Sequence, residues 1–198
     1  MPLHGDEPPS AWVARFAPLV PPSARVLDLA CGAGRHARLF AERGCRVVAV
    51  DREPRLDPAL AAHPRIDVRT ADLEQDSWPL AGERYDAIVV ANYLHRPLYP
   101  HLLAALAPGG VLLYETFAVG NAAFGKPSNP AFLLAPRELL DVFGGALRVI
   151  AFEDGYEELP RPAMVQRIAA VLPATDGALR PEQVALRSHT PVAARSRL

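Results

Sequence analysis

Three carboxylates, Asp28, Asp51 and Asp72, and two glycines, Gly32 and Gly34, are the residues of this chain best spaced for chemistry. Asp28 stands inside the apolar run Val26-Leu27-Asp28-Leu29-Ala30, which breaks into Cys31-Gly32-Ala33-Gly34. Asp51 closes a second apolar run, Val47-Val48-Ala49-Val50, and Asp72 follows a third that starts at Ile66. An apolar strand that enters a turn of small residues and then a helix lets a ligand approach the backbone, and a second strand ending on an acid adds a hydrogen-bond acceptor beside it. That is a nucleotide-type cofactor site. Carboxylates accept hydrogen bonds and repel anions, so the ligand expected among them is cationic or rich in hydroxyl and amino donors rather than a pyrophosphate. A second group follows a fourth apolar run: Asn92, Tyr93 and His95 can orient or deprotonate another reactant. His95 is the natural proton acceptor because an unperturbed imidazole titrates near neutrality.

The elements that must position these residues are legible from periodicity. Ser10 is placed to cap a helix over about 10–19, with Trp12, Val13, Phe16 and Leu19 on one face and Pro21-Pro22 as its stop. Strands are expected at 25–30, 45–50, 66–70, 85–91, 111–117, 147–153 and 164–172. Helices are expected at 34–43, 97–107 and 136–143, with a short turn over 56–62. Strand and helix alternate through the first two-thirds, which predicts an α/β, Rossmann-like, doubly wound sheet. The connection between the last two strands is too short for a parallel crossover, so the seven-stranded sheet should carry one antiparallel strand near its C-terminus. Residues 1–173 read as a single domain and 174–198 as a mobile tail. The segment Gly120-Asn121-Ala122-Ala123-Phe124-Gly125-Lys126-Pro127-Ser128-Asn129-Pro130 mixes glycine hinges, donors and an aromatic, as a lid does.

On these residues the chain resembles the class I S-adenosylmethionine-dependent methyltransferases, over roughly 25–171. The resemblance implies S-adenosyl-L-methionine as cofactor. Its methionine end would be held by Asp28, Gly32 and Gly34, its ribose hydroxyls by Asp51, and its adenine amine by Asp72 with Leu73 beside it. Asn92 would touch the cofactor and help catalysis with His95, while Tyr93, Glu115, Asn121 and Asn129 would meet a small-molecule acceptor. One departure is visible: the family turn begins with Gly where this chain has Ala30. The lid segment and Asn92-Tyr93-Leu94-His95-Arg96-Pro97 also resemble small bacterial methyltransferases similar to the tellurite-resistance type. Tyr93-Leu94 stands where methyltransferases acting on adenine or glutamine carry prolines, which disfavours a nucleic-acid substrate.

Composition suits a soluble globular protein. The 198 residues are 50% hydrophobic with a net charge of −1, giving no global basic footprint for nucleic acid. Only Cys31 and Cys45 are present, too few for a disulfide framework or a cysteine-based metal site. No run approaches the roughly 18 apolar residues of a membrane span, and the first residues lack the basic start and apolar core of a secretion signal, so a cytoplasmic location is expected. Two rival readings stand beside methyl transfer. Gly32-Ala33-Gly34-Arg35-His36-Ala37 also satisfies the turn of an NAD-dependent oxidoreductase, although Asp28 sets a negative charge where that turn binds phosphates. The third reading is a non-catalytic, cofactor-binding member of the methyltransferase fold.

Overall fold

The computed structural model describes residues 7–174. Seven strands form one sheet: β1 (Arg25–Leu29), β2 (Arg46–Asp51), β3 (Ile66–Thr70), β4 (Tyr85–Ala91), β5 (Leu106–Phe117), β6 (Arg148–Glu157) and β7 (Ala163–Val171). Their spatial order is β3-β2-β1-β4-β5-β7-β6. The first five are parallel neighbours, while β7 runs antiparallel to both β5 and β6. This is the expected sheet with its single reversed strand. The order turns back between β1 and β4, so the ends of these strands form the crevice where open α/β sheets take ligands.

Helices cover both faces. α1 (Ala11–Phe16), α2 (Arg35–Glu42) and α3 (Pro58–Ala61) bury Trp12, Phe16, Phe40 and Leu60 against the alternate residues Val26, Ala49, Val89 and Leu113. On the other face α4 (Tyr99–Ala105) and α5 (Glu138–Phe143) bury Tyr99, Leu102, Leu139 and Phe143 against Leu27, Val50, Val90 and Tyr114. The period of two in the strands therefore decides which helix layer each side chain meets. Ser10 caps α1 as expected, its hydroxyl accepting the Val13 N–H. α2 and α5 begin at Arg35 and Glu138, just inside the expected bounds, because Gly34 and Arg137 before them are left-handed. The largest boundary difference is at β5, which starts at Leu106 rather than 111: Pro108-Gly109-Gly110 is carried inside the strand through a register irregularity opposite Tyr85 and Ala87. Apolar periodicity reads that stretch as a helix end because it does not register the irregular pairing. The expected tail over 174–198 lies, beyond its first residue, outside the described residues.

Candidate functional site

The turn after β1 is held by the end of β2. Asp51 Oδ2 accepts the Gly32 N–H at 2.9 Å, and its Oδ1 accepts the Glu53 N–H at 2.8 Å. Cys31 N–H donates to Val50 O at 3.0 Å, so the turn is fastened to β2 by both side chain and backbone. Gly32 and Gly34 both have positive φ, +54° and +78°. They differ in what surrounds them. A Cβ on Gly34 would lie 2.8 Å from Leu56 Cγ, whereas one on Gly32 would meet nothing within 4 Å. Gly34 is small for packing against the segment before α3; Gly32 keeps an open side. Ala30, where the family turn has Gly, sits at φ +56°, a conformation that costs an L-residue roughly 1–2 kcal/mol. Ala30 bears that strain.

Asp72 accepts the Glu74 N–H at 3.0 Å through Oδ1, just past the end of β3. Leu73 beside it is buried in the core, so only its backbone can serve a ligand. Glu74, Gln75, Asp76 and Ser77 line an open cleft next to it. The Tyr93 hydroxyl points the same way, 3.5 Å from Glu74 Oε1, and burial pushes its pKa up. Tyr93, expected to meet the acceptor, thus sets its hydroxyl beside Glu74 at the acid-lined end. Each carboxylate oxygen has two lone pairs, so Asp51 and Asp72 keep acceptor capacity beyond the backbone bonds they make.

Asp28 differs from the other two acids. It is 1% exposed, and its Oδ2 accepts the Ala37 N–H at 2.9 Å, bracing the start of α2. Burial raises its pKa to about 7, against the Ala37 hydrogen bond and the Arg35 charge, which lower it. Its Oδ1 lies 4.0 Å from His36 Nδ1. Burial lowers His36 to about 3, and His36 Nε2 accepts the Ser10 N–H at 3.2 Å. Strand parity turns the side chain of Asp28, expected to hold the methionine end of the cofactor, under α2, where it positions the start of that helix. Glu115 follows the same rule. It is 6% exposed, faces the α1 layer and forms an ion pair with Arg167 Nε at 3.2 Å, and desolvation pushes its carboxyl pKa up. Arg167 also pairs with Glu153 and Glu157. Glu115, expected to meet the acceptor, is a buried partner of β7.

A second cleft, of about 540 Å³, opens at the ends of β4 and β5. Asn92, Phe117, Lys126, Pro127, Ser128, Asn129, Phe132 and Arg161 line it. Asn92 has φ +56° and is fixed by donating its N–H to Glu115 O at 3.0 Å. Asn129 lines the cleft while its Oδ1 accepts the Ala131 N–H at 3.0 Å. Asn121, expected beside it, is 2% exposed: its Nδ2 donates to Pro127 O at 3.0 Å and its Oδ1 accepts the Met164 N–H at 3.1 Å. It shapes the segment and has no face for a ligand. The expected lid is fastened elsewhere too, by the Ala118–Leu134 bridge and by Arg96 donating to Ala131 O and Leu133 O, each at 2.9 Å. These ties make it a wall of the cleft. His95 lies three residues beyond Asn92, partly buried before the turn Arg96–Leu98, and outside the residues lining the cleft. Sequence reading passed over Arg161, Phe117 and Phe132 as site residues. The one available signal was Lys126, the only lysine of the chain.

Comparison with known proteins places this arrangement. A family model described as a methyltransferase domain matches residues 3–146. Trans-aconitate 2-methyltransferase of Streptomyces avermitilis is 33% identical over 140 residues, 64% of this chain and 49% of that protein. The chain spans between 39% and 49% of the length of four such curated relatives. Among solved structures, TehB from Haemophilus influenzae superposes with a TM-score of 0.62 at 20% identity, covering 85% of this chain and 62% of that one. Burkholderia thailandensis 1,6-didemethyltoxoflavin-N1-methyltransferase, with 1,6-didemethyltoxoflavin and S-adenosylhomocysteine bound, gives 0.61 at 23% identity over 82% of this chain and 76% of that one. At such identities these two likenesses speak for the fold. The family match itself runs through β1 to α5, taking in the glycine turn, Asp51, Asp72 and Asn92, and on that match the chain belongs to the class I S-adenosylmethionine-dependent methyltransferases.

Proposed function

We propose that the chain transfers a methyl group from S-adenosyl-L-methionine to a small-molecule acceptor. The observation that carries this reading is the pair of unlike clefts at the strand ends, one edged by Glu74 and Asp76 just past Asp72 and one running from Asn92 after β4. The acid-edged end suits the cofactor: the spare lone pairs of Asp51 and Asp72 match ribose hydroxyls and an adenine amine, and the open side of Gly32 leaves the backbone approachable. When bound, the cofactor supplies a methyl group already activated by its sulfonium. The protein is left to align the acceptor, to shelter it from water and to take up a proton where the attacking atom carries one. Asn92, at the seam between the clefts, orients the acceptor, and His95 at the same strand end takes the proton.

A 540 Å³ cleft is in the range of sites for small organic molecules, and for that reason we prefer a small acceptor to a nucleic acid. We place the reaction in the cytoplasm, where the two buried free cysteines remain reduced. No helix among the described residues is long and apolar enough to cross a membrane. Calorimetric titration with S-adenosylmethionine, S-adenosylhomocysteine, NAD and NADP tests the reading. Binding of the first two at micromolar level or better is expected. Binding of NAD or NADP alone would transfer the chain to the oxidoreductase reading. Cofactor binding without transfer to any acceptor would favour the non-catalytic one.

A further inference from the structure

The two clefts differ in sign. No acid lines the second one, whereas it holds two cations, Lys126 and Arg161, with Phe117 and Phe132 as its apolar surface. Among the described residues neither cation has a hydrogen-bond or ion-pair partner. Other arginines nearby are committed: Arg96 to Glu138, and Arg167 to Glu115, Glu153 and Glu157. Lys126 and Arg161 stand 35 positions apart in sequence, one after β5 and the other in the β6–β7 connection. Tertiary contacts hold their segments together. Asn121 joins the first to Met164 of β7, and Phe124 packs on Tyr156 of β6 with ring centroids 5.2 Å apart. Lys126 is also the single lysine among 21 basic residues, a compact three-donor ammonium beside a planar guanidinium fork. Phe132 is 52% exposed at the same mouth. Two free cations next to aromatic surface recognise a small molecule with an anionic head and an apolar body.

We propose that the methyl acceptor is an organic oxyanion, a carboxylate or phosphate monoester on an apolar body, with its head between Lys126 and Arg161 and its body against Phe117 and Phe132. This rests on the reading that the second cleft takes the acceptor. The single lysine makes the test direct. Reductive methylation of the full chain with ¹³C-formaldehyde retains the ammonium charge and yields one lysine resonance, separate from the α-amine. With S-adenosylhomocysteine saturating, cinnamate and phenyl phosphate are titrated against neutral cinnamamide. At least one anion should shift the Lys126 signal saturably and bind at least tenfold tighter than cinnamamide. Arg161→Met should weaken that binding at least tenfold, and Phe132→Ala should weaken it less, while both variants keep wild-type affinity for S-adenosylhomocysteine. If the carboxylate alone, or the phosphate alone, gives the shift, the head group is identified. If neither anion outbinds the amide, or if the preference survives Arg161→Met, the proposal is overturned. Failure of S-adenosylhomocysteine to bind would instead strike the methyltransferase reading itself.

Discussion

The two ends of the crevice are built in opposite ways. At the β1–β3 end, the site is local in sequence: a turn follows its own strand, and Asp51 and Asp72 each lie at or just past the end of the strand that presents them. Asp51 and Asp72 then accept the backbone N–H groups that fix these loops, all of them from the span 32–74. At the β4–β5 end, the wall is assembled from residues near 92, 117, 126–132 and 161, which meet only because β7 returns antiparallel beside β5. The first end is negative and the second positive. Such a pair of surfaces is matched to a cofactor that presents donors and to a second molecule that does not share its charge.

Substitutions at the two ends should separate in what they affect. The largest effect is expected at His95: with an acceptor at saturation, His95→Ala should lower turnover by about 10²–10⁴-fold while calorimetry finds cofactor affinity unchanged. Wild-type turnover in that variant would move proton removal elsewhere. Next comes Asp51→Ala, which removes the acceptor of two backbone N–H groups and of the proposed ribose contact. Hydrogen bonds to charged groups are worth about 1.5–3 kcal/mol each, so S-adenosylhomocysteine should bind more than tenfold more weakly. Titration of cinnamate in the same variant should show the other end intact, and equal loss at both ends would break the comparison.

A smaller, pH-dependent effect is expected beneath α2. Asp28 is raised from 3.8 to about 7, so its contribution to stability is full below 3.8 and is lost as pH rises towards 7. His36 is lowered from 6.5 to about 3, so its contribution is full above 6.5 and is lost as pH falls towards 3. The slopes oppose each other and partly cancel in the wild type. Asp28→Asn removes the falling one, so the stability of the variant relative to wild type should rise with pH between 3.8 and 6.5. Urea melts at the two ends of that interval measure it, and a relative stability that falls with pH would contradict the assigned shifts. The smallest effect is at Ala30, where φ of +56° favours glycine. Ala30→Gly should stabilise the fold by about 0.5–1 kcal/mol, the relief of strain exceeding the added entropy of the unfolded chain. A destabilised variant in urea would show that Ala30 bears no strain.

Sequence by itself determined the sheet, the glycine turn and the two strand-end acids, Asp51 and Asp72. Strand alternation, small residues and strand-end carboxylates are properties of adjacent residues, set by period and sterics. It also marked Asn92 and Asn129, which do line the second cleft. Only the tertiary structure decided which way Asp28 and Glu115 face, since a carboxylate within a strand meets whichever helix layer its parity selects. The same holds for Asn121, whose two hydrogen bonds depend on the backbones of Pro127 and Met164 being brought to it. Lys126 and Arg161 carry no mutual spacing signal. Their shared cleft exists because the β5–α5 segment is fastened to the β6–β7 hairpin, and that fastening is a matter of packing between distant residues rather than of any local pattern.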